Sequence, residues 1–91
     1  MTEGLDPRRK RIIYRATHRG TKESDLIIGG WIAEALPAIP DFRLGEVEEL
    51  LEELDLDLLD WLMGRQPIPE RWRDSIFDEV LQYYRRLGPQ T

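Results

Sequence analysis

Apolar residues recur every three or four positions in five successive stretches of the chain, with polar residues between them. That spacing is typical of amphipathic helices, whose apolar face packs on a core. The stretches span residues 7–18, 21–36, 44–54, 58–63 and 69–87. No stretch shows the strict alternation that indicates a half-buried strand. The pattern predicts an all-α fold, a small bundle of about five short helices. We expect one domain over residues 1–91, frayed at residues 1–6 and 88–91.

The apolar face of each predicted helix indicates which residues form the core. The second stretch is apolar almost all round, so we expect it to be the central helix. Trp61 is expected to anchor the core from the fourth helix. The other predicted core residues are Ile12, Ile13, Ala16, Leu26, Ile27, Ile28, Trp31, Ile32, Ala33, Leu36, Leu44, Val47, Leu50, Leu51, Leu54, Leu58, Leu59, Leu62, Met63, Trp72, Ile76, Val80, Tyr83, Tyr84 and Leu87.

Residues that favour helix ends separate these stretches. Asp6 followed by Pro7 is a common helix start, with an acidic N-cap and a proline at the first helical position. Gly20 stands where a helix often ends in the left-handed conformation, and Thr21 can cap the next helix. The segment 37–40 has a proline at each end, which predicts a stiff connector.

The later helices have end signals of the same kind. We expect Asp57 to cap the fourth helix and Pro69 to open the fifth. Gly64 and Gly88 are expected to end them.

Two adjacent glycines, Gly29 and Gly30, interrupt the second helix. Each costs about 1 kcal/mol relative to alanine in a helix interior. Either close packing of a neighbouring helix compensates for this loss, or the helix bends there.

Charge is distributed unevenly along the chain. The formal net charge is −5 at pH 7, but residues 1–23 carry seven basic and three acidic side chains. The remainder carries six basic and fifteen acidic side chains, and this asymmetry favours a directional approach to a partner. Four arginines of the basic part, which we call the arginine stripe, lie on one helix face: Arg8, Arg11, Arg15 and Arg19. Since neighbouring like charges repel, the stripe either has an anionic partner or is solvated.

Residues 18–25 contain our candidate docking surface for another protein. Arg19 can form charge-assisted hydrogen bonds, and Gly20 allows a partner's backbone to come close. Glu23 can pair with a basic or amide group. The flanking candidates are Arg11, Arg15, Lys22 and Asp25. The structural alternative is that Gly20 and Glu23 only mark helix ends, with Glu23 near the positive end of the helix dipole.

The third helix has a strongly acidic face, which we call the glutamate face. It consists of Glu46, Glu48, Glu49, Glu52 and Glu53. It could form a second contact surface or a cation site, but a solvated helix face is the simpler interpretation. No loop has the acidic spacing typical of calcium binding.

Motifs for most kinds of chemistry are absent from the sequence. There are no cysteines and there is one histidine, His18, so a metal site is not expected. No phosphate-binding glycine loop, dinucleotide fingerprint or nucleophile elbow occurs. No apolar run approaches the roughly 20 residues that span a bilayer. The residues alone therefore indicate a small helical adaptor with an unknown partner.

Two blocks of the sequence resemble the flavoprotein assembly factor family, called SdhE in bacteria and succinate dehydrogenase assembly factor 2 in mitochondria. The first block is residues 11–26, and the family hallmark Arg-Gly-x-x-Glu is matched by Arg19, Gly20 and Glu23. Asp25 matches a common bacterial form. The second block, residues 57–64, resembles the family's Asp-x-x-x-Trp-Leu/Ile segment. The resemblance covers residues 8–87, and the departures from it are Gly29, Gly30 and Gly45.

The resemblance implies a dedicated chaperone and not an enzyme. Family members bind the flavoprotein subunit of succinate dehydrogenase, or of the related fumarate reductase, and promote covalent attachment of FAD to a histidine of that subunit. The FAD belongs to the client, so we expect no permanently bound cofactor or metal. The family's functional residues carry over to Arg19, Gly20 and Glu23. We expect a cytoplasmic bacterial protein that is monomeric when free, with no membrane insertion and no nucleic acid partner.

The main alternative is a small regulatory binding protein, antitoxin-like or associated with nucleic acid. It predicts salt-sensitive binding through the basic end of the chain. A flavin-binding enzyme would instead be yellow when purified. A purely structural bundle would tolerate mutation of the arginine stripe.

Overall fold

The computed structural model describes residues 5–88, and every regular element in that range is helical. The α-helices are α1 (Pro7–Thr17), α2 (Lys22–Ser24), α3 (Gly30–Ala35), α4 (Leu44–Leu51), α5 (Asp55–Met63) and α6 (Ile76–Leu87). A π-helical segment (Asp25–Gly29) joins α2 directly to α3, and 3-10 turns occur at Leu36–Ala38, Asp41–Arg43 and Glu70–Trp72. Residues 22–35 thus form one continuous helix, and residues 5–88 contain five main helical segments. The predicted all-α fold is confirmed.

The ends of the chain lie largely outside this description. Fraying was predicted for residues 1–6 and 88–91, and residues 1–4 and 89–91 are outside the described range. The predicted fraying and the extent of the domain therefore stay predictions.

The core forms around the continuous helix of residues 22–35, as its apolar character predicted. Trp31 is almost completely buried there, and Trp61 meets Phe77 edge to face at 5.9 Å between ring centroids. Such aromatic pairs add to the stabilisation that comes from apolar burial. The remaining buried apolar residues are Ile12, Ala16, Ile27, Ile28, Ile32, Leu36, Ile39, Leu44, Val47, Leu50, Leu51, Leu58, Leu62, Trp72, Ile76 and Val80.

Four residues predicted to be in the core are exposed instead. Leu26 and Leu54 are 56% and 70% exposed, and Ala33 and Leu87 also face solvent. Leu54 is exposed because α4 ends at Leu51, so the helical spacing that would turn it inwards has already stopped. Leu26 lies in the π-helical segment, where an extra residue in the turn shifts the helix faces.

Several predicted helix ends are confirmed by their capping geometry. The Asp6 side chain accepts a hydrogen bond from the Arg9 backbone N–H at 2.8 Å, which caps α1. Thr21 caps α2 in the same manner. Gly64 and Gly88 have positive φ at the ends of α5 and α6, as expected.

Two predicted helix starts are wrong. The fourth helix begins at Asp55, so Asp57 lies in its first turn and is not its cap. Pro69 precedes a single 3-10 turn, and α6 begins only at Ile76, capped by the Ser75 hydroxyl. A serine N-cap inside an otherwise continuous apolar pattern is a weak signal against the strong signal of a proline.

The two adjacent glycines are explained by close packing. A Cβ atom added to Gly29 would lie 3.1 Å from Thr17 Cγ2 and 3.3 Å from the Ala16 carbonyl oxygen. A Cβ on Gly30 would lie 2.3 Å from the Tyr83 hydroxyl. Glycine therefore lets α1 approach one side of the central helix and lets α6 approach the other.

Alanine substitutions should separate this packing role from helix propensity. We expect Gly30→Ala to lose about 1–3 kcal/mol of packing, because the Tyr83 ring must move, against a gain of about 1 kcal/mol in helix propensity. A Cβ added to Gly45 in α4 would come within ordinary van der Waals distance of the Arg8 guanidinium, at 3.8 Å. Gly45→Ala should therefore stabilise the fold by about 0.5–1 kcal/mol. Urea unfolding of both variants measures the difference. Equal effects of the two substitutions would contradict the packing explanation.

Candidate functional site

Arg19 is held inside the protein by the turn between α4 and α5. Its side chain is 8% exposed and forms an ion pair with Asp55. Its other guanidinium nitrogens donate to the carbonyl oxygens of Leu51 at 3.0 Å and Glu53 at 2.6 Å. The guanidinium thus joins the α1–α2 loop to the turn after α4. All three of its nitrogens have acceptors within the chain.

Gly20 lies next to this buried arginine, on the surface of the loop. Its φ is +108°, a backbone conformation that residues with a Cβ rarely adopt. No atom lies within 4 Å of the position that a Cβ would occupy, so the space outside Gly20 is open. Its left-handed conformation was predicted. The helix itself ends earlier than predicted, at Thr17 with His18 as its C-cap.

Asp25 closes the loop from the other side. Its carboxylate accepts a hydrogen bond from the Arg19 backbone N–H at 2.9 Å. Within α2, the Thr21 hydroxyl donates to the hydroxyl of Ser24, which is completely buried. The backbone between α1 and α2 is therefore fixed by side chains on both of its flanks.

Lys22 and Glu23 are exposed at the start of α2. The Glu23 carboxylate makes no hydrogen bond or ion pair with another residue of the range 5–88, so it is available to a partner. Its place in the first turn also suits the helix dipole, so the structural alternative remains compatible with its position.

The arginine stripe faces the glutamate face of the same chain. Arg8 pairs with Glu48, with bonds of 2.9 and 2.7 Å. Arg15 pairs with Glu52. Both ion pairs join α1 to α4 or to its C-terminal end. The Arg19–Asp55 pair links the next stripe arginine to the start of α5. Three of the four stripe arginines thus have an anionic partner within the chain. Arg11 is exposed and forms no ion pair within residues 5–88.

The rest of the glutamate face is also largely engaged. Glu46 accepts a hydrogen bond from the backbone N–H of Ile76 at 2.7 Å, which caps the start of α6. Glu53 accepts from the Trp72 indole N–H at 2.6 Å. Glu46 and Glu53 are therefore bound within the chain, whereas Glu49 is exposed and has no ion pair within residues 5–88. Within the described range, no cluster of histidine, cysteine and carboxylate side chains could hold a metal ion.

Hydrogen bonds shift the pKa values of several side chains. The hydrogen bond from Arg8 holds the pKa of Glu48 below its usual range, and it raises the pKa of Arg8 in turn. The backbone N–H of Arg9 is the main cause of the lowered pKa of Asp6. Each of these carboxylates therefore favours its ionised form in the folded state.

The shifts predict a loss of stability in acid. A carboxyl group whose pKa is lower in the folded state stabilises the fold above its unfolded pKa, and this stabilisation is lost as pH falls through the folded value. We expect the melting temperature to fall between about pH 5 and pH 3. Glu48→Gln should make this dependence shallower. Glu49→Gln is the matched control, because Glu49 is exposed and has no ion pair within residues 5–88, and it should leave the dependence unchanged.

An open groove of about 410 Å³ lies beside the buried guanidinium. Tyr14 and His18 stack on one wall, with ring centroids 3.9 Å apart and planes 9° apart. Leu54 and Arg19 also line the groove. We call this feature the Tyr14–Leu54 groove. The sequence pattern does not predict this groove, because its lining residues come from two segments, 14–19 and 51–55, that are far apart in the chain.

Comparison with known proteins identifies the family. Residues 10–84 match the protein family described as "Flavinator of succinate dehydrogenase". The chain belongs to this family. The FAD assembly factor SdhE of Acetobacter pasteurianus is 43% identical over 68 residues, which cover 75% of this chain and 62% of that protein.

Mitochondrial relatives match a larger part of the chain. Succinate dehydrogenase assembly factor 2 of Candida glabrata is 36% identical over 85 residues, covering 90% of this chain and 56% of that protein. The Saccharomyces cerevisiae protein of the same name is 35% identical over 85 residues, covering 90% and 52%. The chain thus spans roughly half to three-fifths of the length of these curated relatives. The resemblance drawn from the two sequence blocks is confirmed.

Sequence reasoning missed the residues that hold Arg19. Asp55 and the carbonyl groups of Leu51 and Glu53 are its partners, and none of them belongs to the Arg-Gly-x-x-Glu motif. The sequence contains a partial sign of this pairing, because Glu48, Glu52 and Asp55 are spaced three or four residues apart, like the arginines of the stripe. Two complementary rows at helical spacing favour pairing between two helices of one chain.

Proposed function

We propose that this chain binds the flavoprotein subunit of succinate dehydrogenase and promotes covalent attachment of FAD to it. The family match over residues 10–84 carries this proposal. The complete Arg-Gly-x-x-Glu motif supports it, because Gly20 is exposed on a loop that is fixed from within, and Glu23 is exposed in the first turn of the helix that follows. A rigid, exposed loop loses little conformational entropy when it binds a partner.

The docking surface in this proposal is centred on Gly20 and Glu23. Lys22 and Arg11, both exposed, extend it on its basic side. Arg15 contributes from the edge while paired with Glu52. Arg19 and Asp25 belong to it as the residues that fix the loop.

The proposed action is that of a chaperone and not of a catalyst. Binding would stabilise a conformation of the flavoprotein in which the accepting histidine and the FAD are aligned. Such alignment can contribute several kcal/mol to a step that otherwise depends on chance orientation, on the order of the effects known for intramolecular reactions. The FAD remains with the client throughout.

The nucleic-acid alternative loses the observation that favoured it. Binding to phosphates requires basic side chains that are free to neutralise them. Arg8, Arg15 and Arg19 are paired with carboxylates of the same chain, and Arg9 pairs with both Asp6 and Asp41. Four of the seven basic side chains of residues 1–23 are thus paired within the chain, while Lys10, Arg11 and Lys22 form no ion pair within residues 5–88.

Covalent flavin on the client tests the proposal. The flavoprotein subunit of succinate dehydrogenase from the host is expressed with and without this chain, denatured, and measured by in-gel flavin fluorescence. We expect fluorescence to rise at least severalfold with the wild type and to fall back with Glu23→Ala. Glu49→Ala, an exposed glutamate on α4, is the matched control and should behave like the wild type. Equal fluorescence with and without the wild-type chain would refute the proposed function.

The range of clients and the setting are finer points of the same proposal. We propose a monomer in the bacterial cytoplasm that also serves the flavoprotein of fumarate reductase. Among the helices of residues 5–88, none has the length and apolar character required to cross a bilayer. The same fluorescence assay with the fumarate reductase subunit tests the second client, and sedimentation of the free chain tests the monomer.

A further inference from the structure

The Tyr14–Leu54 groove is lined by two large side chains that are both exposed. Tyr14 is 62% exposed and Leu54 is 70% exposed, although both line the same groove. An exposed apolar group beside polar residues often marks a protein contact. Phe42 is also highly exposed but does not line this groove, so it provides a control for the effect of an exposed apolar side chain elsewhere.

The charges around the groove are already neutralised inside the chain. Arg19 and Arg15 both line it, and they pair with Asp55 and Glu52 respectively. Glu53 is bound by the Arg71 guanidinium and the Trp72 indole. An anionic or cationic ligand would have to compete with these bonds. The groove therefore suits an apolar side chain with uncharged backbone around it.

The bonds of Arg19 surround Leu54 in the chain. Its guanidinium bonds to Leu51 and Glu53 on one side of Leu54 and to Asp55 on the other. These residues form the turn between α4 and α5, and Leu54 is at its exposed tip. A side chain bonded to both sides of a turn restricts the position of the residue between them.

We propose that the Tyr14–Leu54 groove binds an apolar segment of the flavoprotein subunit, and that Arg19 acts as a positioning residue for Leu54. This inference rests on the proposed function. It differs from direct contact by the motif arginine, because Arg19 keeps its bonds within the chain while Leu54 and Tyr14 make the contact. Gly20 directly follows Arg19, which lines the groove, so the docking surface and the groove adjoin in the chain at this residue.

Binding of the purified flavoprotein subunit to the full chain tests the contact residues. We expect Tyr14→Ser and Leu54→Ser each to weaken binding at least tenfold with unchanged melting temperature, since both side chains are exposed. Phe42→Ser is the matched control and should bind like the wild type. If both groove variants bind like the wild type while the wild type still raises covalent flavin, the groove is wrong and the proposed function stands. If the wild type does not bind the subunit, both fail.

A double-mutant cycle tests the positioning role. We expect Arg19→Lys to weaken binding at least fivefold in the wild-type background, at a temperature where circular dichroism shows the variant folded. In the Leu54→Ser background the same change should have little further effect, because the residue that it positions is gone. A purely structural role, or direct contact of Arg19 with the client, would leave the two losses additive and would overturn the inference.

Two other occupants of the groove are distinguished by the same samples. Concentration-dependent self-association that disappears with Leu54→Ser would assign the groove to a second copy of the chain. Saturable quenching of free FAD fluorescence by the chain alone, lost with Tyr14→Ser, would assign it to the flavin ring. Either result, with client binding unaffected, would overturn the proposal.

Discussion

Gly20→Arg should abolish binding to the flavoprotein subunit while leaving the protein folded. The open space outside Gly20 is where a partner's backbone would approach, and an arginine side chain would fill it. Because φ at this residue is +108°, any side chain also strains the backbone, at a cost of about 1–3 kcal/mol. Pull-down of the client, together with thermal unfolding of the variant, measures the two effects separately.

Gly20→Ala is the matched control for that experiment. It introduces the same backbone strain without the bulk, so it should lower the melting temperature by a similar amount and retain most of the binding. Gly64→Arg, at another exposed glycine with positive φ, adds the bulk far from the motif in sequence and should not affect binding. Co-purification of the Gly20→Arg variant with the client would contradict the docking role of Gly20.

Arg19→Met should be the most destabilising single change in the motif, by about 3–5 kcal/mol. Removal of the guanidinium leaves the half-buried Asp55 carboxylate without its counter-charge. It also leaves the carbonyl groups of Leu51 and Glu53 without a donor. Stabilities of small domains are about 5–15 kcal/mol, so this loss is a large share of the total. Chemical denaturation followed by circular dichroism measures it.

Arg15→Met is the matched control, because Arg15 is also in the arginine stripe but pairs with Glu52 at the surface. An exposed ion pair of this kind contributes less than about 1 kcal/mol. Adding Asp55→Asn to Arg19→Met should recover part of the lost stability, since the unpaired charge is removed. Equal destabilisation by the two methionine variants would show that the Arg19 bonds do not form in solution.

The sequence motifs predicted the exposed part of the site better than the buried part. The positive φ of Gly20 followed from the position of a glycine between two helices, and the Thr21 cap followed from local side-chain chemistry. The sequence predicts that Arg19 lies at the surface, because charged side chains are rarely buried unless they are paired. Its burial depends on acceptors more than 30 residues away, which local spacing does not identify.

The all-α class, the central helix and most of the core follow from helical periodicity and capping, which are local properties of the sequence. The sequence also determined the family, through two short blocks and their spacing. Three features emerge only from the three-dimensional packing: the arginine stripe faces the glutamate face, Leu54 is exposed, and Tyr14 and Leu54 line one groove. Each of them depends on how α1 packs against α4 and the turn after it. That packing joins side chains that no local pattern connects.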